Sequence, residues 1–324
     1  MRRVLTLLAK AALSALLLYF SLRWVNIAAV TDRLNALEPG WMLVAVLLLI
    51  VQTILLAQRW RLIAIACAAE LEFASALQIS FVAIFFNQVL PSTVGGDGAR
   101  IWLLARRGAG WARAAYSVVI DRVVGVLVLA LIVVLCLPWT LALVHEPVAR
   151  AALLGITFGA IAAPLLFLLV GIRFHDWFDR HAITLHLSAA SRIAVVLCRS
   201  RQAIIVAACS VAIHLLTIAA AWSCVMAVAA PVSFAQVLFL MPPVLLVATV
   251  PISIAGWGVR ESAMIAAFVS AGLSQSDGLT LSILFGAASF LVGLAGGIVW
   301  TVSGLRMEDF NGATARAGTA ADNR

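Results

Sequence analysis

Charge is scarce in this chain, and lysine is almost missing. Only 11% of its 324 residues are charged, and a single lysine stands among 21 arginines against 14 acidic side chains. A soluble domain carries roughly 25% charged residues, so too few remain here to coat a water-facing surface. A substantial soluble domain is thereby excluded. The net charge of +8 would suggest nucleic acid in a soluble protein. However, no aromatic-rich basic module accompanies it, and no nucleic-acid partner is expected. The five cysteines (Cys67, Cys136, Cys198, Cys209 and Cys224) form no CxxC pair and mostly sit in apolar stretches. They read as small hydrophobic packers, which argues against a disulfide framework and a metal site. There is no HExxH, no Asp-rich metal motif, no Walker motif and no nucleophile elbow. The expectation is no metal, no cofactor, no catalytic residue and no ATP hydrolysis by the chain itself.

What is abundant is apolar sequence. The hydrophobic fraction is 64% and the mean hydropathy +1.11. A bilayer core of about 30 Å needs roughly 20 apolar residues per helix. Six stretches qualify as full spans, at about 4–22, 40–58, 112–137, 147–170, 203–229 and 279–303. The runs are continuous rather than alternating, which excludes a strand barrel. The start, Met1-Arg2-Arg3 before an apolar run, resembles a signal peptide. Lys10 interrupts that run and Phe20-Ser21-Leu22-Arg23 is a poor cleavage site, so it reads as a retained first helix.

Two further apolar regions, 73–107 and 235–272, are broken in the middle by Pro and Gly. If each is a re-entrant hairpin, one side of the membrane holds Arg2, Arg3, Lys10, Arg59, Arg61, Arg106, Arg107, Arg113, Arg173, Arg180, Arg192, Arg199, Arg201 and Arg306. The other side holds only Arg23, Arg33 and Arg150. By the positive-inside rule both termini are then cytoplasmic. A complete double crossing gives the same sides, but the second arm, Arg100 to Gly108, is too short and too charged to span. The expected fold class is all-α: a single transmembrane domain over 1–305 with about six full helices and two re-entrant hairpins related as an inverted repeat. The loop 172–202 alternates charges with Phe174, Trp177, Phe178, Ile183 and Leu187, as a surface amphipathic helix does. The tail 306–324 is small and polar and is expected to be disordered.

The two breaks share a motif. Pro91-Ser-Thr-Val-Gly-Gly96-Asp-Gly98-Ala-Arg100 aligns without gaps on Pro251-Ile-Ser-Ile-Ala-Gly256-Trp-Gly258-Val-Arg260, and Thr93 matches Ser253. Three full spans separate the copies, so the second hairpin enters from the opposite face. Paired broken helices that meet near the midplane are how inverted-repeat transporters build a substrate site. Backbone freed by Pro and Gly cannot face lipid and must line a cavity or be buried. The second arm then begins a helix whose N-terminus binds anions. The candidate binding set is therefore Arg100 and Arg260 as phosphate clamps, with Gly95, Gly96, Gly98, Gly256, Gly258, Asn87, Thr93 and Ser253 around them. Asp97, Asp121, Arg122 and Glu261 complete an intramembrane charge network in which mutual pairing is expected, Arg100 to Asp121 in particular. Asp97 is alternatively the N-cap of the second arm. Asn87 and Gln88 are placed to satisfy backbone at the first break. His214 lies mid-span, as a packing residue or a proton relay.

These residues resemble a known family. The run from Phe86 to Arg100, the run Arg113-Ala-Ala-Tyr-Ser117-Val-Val-Ile-Asp121-Arg122-Val-Val-Gly125, and Pro251 to Glu261 are similar to the motifs of the flippase-like domain, also called the lysylphosphatidylglycerol synthase transmembrane region. The resemblance covers nearly the whole chain. It implies movement of lipids across the bacterial inner membrane. In the synthases this region precedes further helices and a soluble aminoacyl-transfer domain. None is expected here, so lipid aminoacylation does not carry over. The implied partners are membrane lipids, an anionic phospholipid or a polyprenyl-phosphate-linked lipid, with a lipid synthase and a homo-oligomer as further expectations. Two other readings stand beside the transporter. One is a membrane enzyme with Asp97, Asp121 and Glu261 as general bases and the two arginines as phosphate clamps. The other is a non-catalytic partner of a synthase.

Overall fold

The computed structural model describes residues 27–89, 95–174, 178, 182–250 and 258–303. Among these residues the chain forms eleven α-helices and no strand. They are α1 (Ile27–Asn35), α2 (Pro39–Ala66), α3 (Phe73–Val89), α4 (Gly95–Leu104), α5 (Trp111–Leu143), α6 (Pro147–Arg173), α7 (Ala182–Cys198), α8 (Gln202–Ala227), α9 (Phe234–Ala248), α10 (Val259–Ser270) and α11 (Gln275–Val302). Five of them, α2, α5, α6, α8 and α11, are long and apolar enough to cross a bilayer. Each matches one of the expected spans. The expected first span, 4–22, and the tail, 306–324, lie outside the described residues. The chain is a polytopic helical membrane protein.

Local chemistry sets the helix starts. α2 and α6 open on Pro39 and Pro147, where a missing N–H costs nothing and φ is already helical. Ser233 starts α9 with a capping box: its hydroxyl accepts the Gln236 N–H, and the Gln236 side chain accepts the Ser233 N–H at 2.7 Å. Pro138, Pro164, Pro242 and Pro243 lie inside helices, which neighbouring helices make tolerable in a membrane bundle.

The bundle is built twice from the same four-helix plan. α2, α3, α4 and α5 are followed, across the connectors α6 and α7, by α8, α9, α10 and α11. The leading helices α2 and α8 form the most extensive pairing in the molecule, and they run antiparallel. At one end the Glu38 N–H donates to the Ala227 carbonyl at 2.7 Å. Towards the other end Arg59 Nη1 donates to Ser210 Oγ at 3.2 Å. The remaining contacts are reciprocal about this pair. α3 packs on α11, while α9 packs on α5, where Trp139 stacks on Phe239 with ring centroids 5.7 Å apart.

The two short-armed hairpins open to opposite ends. α4 folds back along α3: the Gly96 N–H donates to Asn87 Oδ1 at 2.8 Å, and Arg107 beyond α4 donates to Gln78 Oε1 at 2.8 Å. Close approach at the tip requires glycine, because a Cβ on Gly96 would overlap the Ala83 carbonyl. This mouth lies at the end where Arg113 reaches the Ala68 carbonyl at 3.2 Å. The second hairpin finishes at the far end, where the His145 N–H donates to the Ser270 carbonyl at 3.1 Å. The two units are thus an inverted repeat.

α7 differs from the surface helix expected over 172–202. Its Ala190, Ala194 and Leu197 bury against Leu62, Ile63, Ile120 and Phe167. Its other face exposes Leu185 and Val196. Among the described residues, of the charges in 172–202 only Arg192 falls on the helix, and Arg173, Arg199 and Arg201 flank it; Asp176, Asp179 and Arg180 lie outside the described residues.

Candidate functional site

Five charged side chains meet between α2, α4 and α5. Asp121 of α5 is 1% exposed. Its Oδ1 accepts Arg59 Nε at 2.8 Å and its Oδ2 accepts Arg100 Nη2 at 2.9 Å. Arg100 also stands 3.7 Å from Asp97, and Arg122 Nε donates to Asp97 Oδ2 at 2.6 Å. The guanidinium of Arg100 lies over the Trp60 ring at 4.3 Å, a contact that adds cation–π attraction. Trp60 Nε1 in turn donates to Ser117 Oγ at 3.1 Å. The chain of pairs runs Arg59–Asp121–Arg100–Asp97–Arg122. Three guanidiniums against two carboxylates leave one net positive charge.

The expected Arg100–Asp121 pair forms, and Asn87 satisfies backbone at the break as the sequence suggests. Asp97 stands inside the first turn of α4 as an ion-pair partner, not at its cap. Gly95, Gly96 and Gly98 form the start of α4; Gly98 is exposed, with open space around it. Thr93, Ser253 and Gly256 lie outside the described residues.

The second hairpin holds a different arrangement. Arg260 Nη2 donates to the adjacent Glu261 at 2.6 Å, and its Nε donates to Ser282 Oγ at 3.0 Å. The other Glu261 oxygen accepts the Gly258 N–H at 2.6 Å. The Arg260 guanidinium lies 5.9 Å from the Phe285 ring centre and against Gly286, where a Cβ would collide with it. Ser282 thus occupies, relative to Arg260, the place that Asp121 occupies relative to Arg100. Arg260 and Glu261 neutralise each other locally.

A cavity of about 420 Å³ lies between the two units. Every member of the first cluster lines it, together with Asn87, Gln88 and His214, whose Nε2 lies 3.1 Å from the Gly125 carbonyl. From the second unit come Leu245 and Ala248 of α9, Thr249 just after it, and Phe285, Ser289 and Val292 of α11. Arg260 and Glu261 do not line it; they stand behind Phe285. The structure therefore brings Arg100, Asp97, Asp121, Arg122 and Asn87 to one cavity and leaves Arg260 with Glu261 in a separate cluster.

Two polar atoms in the cavity wall are buried without partners. Arg100 Nε and Ser80 Oγ have no hydrogen-bond partner among the described residues, and both residues line the cavity. A buried unpaired donor costs about 1–3 kcal/mol.

Arg59 was not legible as a site residue. The sequence places the end of its span near 58 and Arg59 in a cytoplasmic loop. α2 instead continues to Ala66, and Arg59 is 5% exposed. The signal was present in Leu62-Ile63-Ala64-Ile65, an apolar run that extends the helix past two arginines. Ser80 gave no signal of its own.

No curated protein matches this chain, and no solved structure matches it. The family described as the lysylphosphatidylglycerol synthase TM region matches residues 7–297. Since the match covers most of the sequence, the chain belongs to the lysylphosphatidylglycerol synthase transmembrane-region family and is a membrane protein linked to lipid handling.

Proposed function

We propose that the protein is a lipid transporter that moves an anionic lipid across the bacterial inner membrane. One observation carries this reading. The cavity has a net positive charge cluster, buried except for the exposed Arg122, and an unpartnered Arg100 Nε, and it lies between two hairpins that open to opposite ends of the bundle. A headgroup would enter the cavity while its acyl chains remain in the bilayer. Rocking of one four-helix unit against the other would expose the cavity to each end in turn. The hairpins are then re-entrant, with their tips near the midplane.

The binding role falls unequally on the two motif arginines. Arg100 faces the cavity with Arg59 and Arg122 beside it. Arg260 is held by Glu261 and Ser282 and acts on the second hairpin's geometry. In the membrane, the end carrying Arg61, Arg106, Arg107, Arg113, Arg173, Arg192, Arg199 and Arg201 would face the cytoplasm, as the positive-inside rule directs. The opposite end has Arg33 and Arg150.

The test is reconstitution of the purified full chain in protein-only liposomes with a fluorescent anionic phospholipid. Label in the inner leaflet should become reachable by an impermeant quencher, and it should stay protected in protein-free liposomes. Chemical turnover of the headgroup without movement would favour a membrane enzyme. Absence of both, with a lipid synthase retained on the gently purified protein, would favour a partner role.

A further inference from the structure

His214 is a titratable side chain of the cavity that the charge cluster does not use. It stands on α8, in the second unit, and lines the cavity half-buried. Its Nε2 lies 3.1 Å from the Gly125 carbonyl of α5, in the first unit. A carbonyl only accepts, so Nε2 carries the proton and Nδ1 keeps a lone pair. Nδ1 has no hydrogen-bond partner among the described residues. Gly125 lies one helical turn beyond Asp121, and the Arg59 guanidinium runs beside it: a Cβ on Gly125 would meet Arg59 Nη1 at 3.4 Å. The ring therefore bridges the two units next to the Arg59–Asp121 pair.

The other charges around the ring are already paired with one another: Arg59 of α2, Asp97 and Arg100 of α4, and Asp121 and Arg122 of α5. α3, α9 and α11 bring no titratable side chain to the lining, whose uncharged part is mostly apolar. Cys209 of α8 lies outside the lining. α7 meets α8 around Val206, about two turns before His214. That helix carries Arg192 and His186, whose Nδ1 lies 2.6 Å from the Tyr116 hydroxyl. Histidine is the residue type that ordinarily titrates between about pH 5 and 8, so His214 is the cavity's candidate for a reversible proton.

A proton on Nδ1 would place a fourth cation among three guanidiniums, and like charges in a partly buried site repel. An anion in the cavity removes that repulsion. Proton and anion therefore favour each other's binding, and the coupling is reciprocal. Four cations against two carboxylates and one bound monoanion leave one net positive charge. Three cations against two carboxylates leave the same charge in the empty cavity.

Resting on the transport reading above, we infer that the protein is a proton–anion symporter in which His214 binds the proton. Nδ1 takes one proton from water at the face where the anion enters and returns it to water at the other, so the ring ends as it began. One monoanion and one proton move together, and the cycle is electrically neutral. The Nε2 bond to Gly125 links the ring's charge state to the contact between α8 and α5, and so to the two units.

The experiment reconstitutes the full chain in liposomes with a tracer of acyl-labelled phosphatidylglycerol, a probe whose phosphodiester keeps one charge at every pH used. Valinomycin and equal potassium clamp the membrane potential at zero. A gradient of about one pH unit, alkaline inside, should draw the probe into the inner leaflet roughly tenfold over the outer, because each coupled proton contributes a factor of about ten per pH unit. Protein-free liposomes should show no such accumulation. His214→Gln keeps an N–H for the Gly125 carbonyl but takes up no proton. It should melt like wild type, lose the pH-driven accumulation and let an imposed potential distribute the probe. A packing role would survive the same change. A second measurement needs no variant. The detergent-purified chain should take up close to one proton per bound dihexanoylphosphatidylglycerol at about pH 6, read by calorimetry in two buffers of different ionisation enthalpy. A wild-type chain that moves the probe without accumulating it under the pH gradient, or binds it without proton uptake, overturns the inference and leaves transport standing. So does a folded His214→Gln protein that accumulates the probe like wild type. Movement of no lipid in the liposome assay removes the transport reading itself.

Discussion

Replacing Asp121 by asparagine should destabilise the protein more than any other single change in the charge cluster. Both carboxylate oxygens accept from guanidiniums, at 2.8 and 2.9 Å, and the side chain is 2% exposed. Asparagine removes the charge and also turns one acceptor into an NH₂ donor that faces an arginine. Arg59 and Arg100 are then two buried cations without their common anion. Breaking a buried pair by removing one partner costs roughly 3–5 kcal/mol. At a few degrees per kcal/mol, the melting temperature in detergent should fall by about 10 °C. Arg59→Gln should cost less, because Asp121 keeps Arg100. Combining the two changes removes one cation with the anion, so the double variant should recover about 0.5–3 kcal/mol relative to the sum of the singles. The assay is a thermal melt of all four proteins in one detergent. An Asp121→Asn variant that melts within a degree of wild type would refute the buried pairing. So would strict additivity of the two changes.

The glycines of the first motif should separate by position. Gly96→Ala, which would overlap the Ala83 carbonyl, should destabilise by about 1–3 kcal/mol, whereas Gly98→Ala has open space and should leave the melt unchanged or raised. Arg100→Ala should slow lipid movement roughly tenfold or more, as loss of a hydrogen bond to a charged group of about 1.5–3 kcal/mol implies, and Arg100→Lys should slow it less; a wild-type rate in a folded Arg100→Ala protein would move the headgroup site elsewhere. Arg260→Ala should lower the melting temperature through the orphaned, 1% exposed Glu261, and Arg260→Ala with Glu261→Gln should regain part of the loss. Cys198, exposed at the arginine-rich end, should react only with a membrane-permeant thiol reagent in right-side-out vesicles when it is the sole cysteine; labelling by an impermeant reagent added outside would invert the orientation.

The helical membrane class and five of the spans were legible because burial in lipid needs long continuous apolar runs, and composition alone records them. The hairpins were legible through Pro and Gly, whose backbone consequences are local. Arg100 and Asp121 could be paired from the sequence because isolated charges inside apolar runs need each other. Arg59 escaped that logic: it lies near a helix end, where arginine ordinarily snorkels outwards, and only the packing of α2 on α5 and α8 turns it inwards. The inequality of Arg100 and Arg260 was equally hidden. The two motifs look alike at the arginine, but their partners come from Asp121 and from Glu261 with Ser282, and such pairing over twenty residues is set by helix register. The apolar character of α7 was masked by charges that lie on either side of it.

The most direct measurement is an electron cryomicroscopy map of the full chain in lipid nanodiscs containing an anionic phospholipid. The account predicts density for one lipid phosphate in the cavity between the two units, beside the Arg59–Asp121–Arg100 cluster, with acyl chains leaving towards the bilayer. A map with ordered lipid only on the outer surface, and a cavity holding water alone around an unchanged Arg59–Asp121–Arg100 cluster, would contradict it.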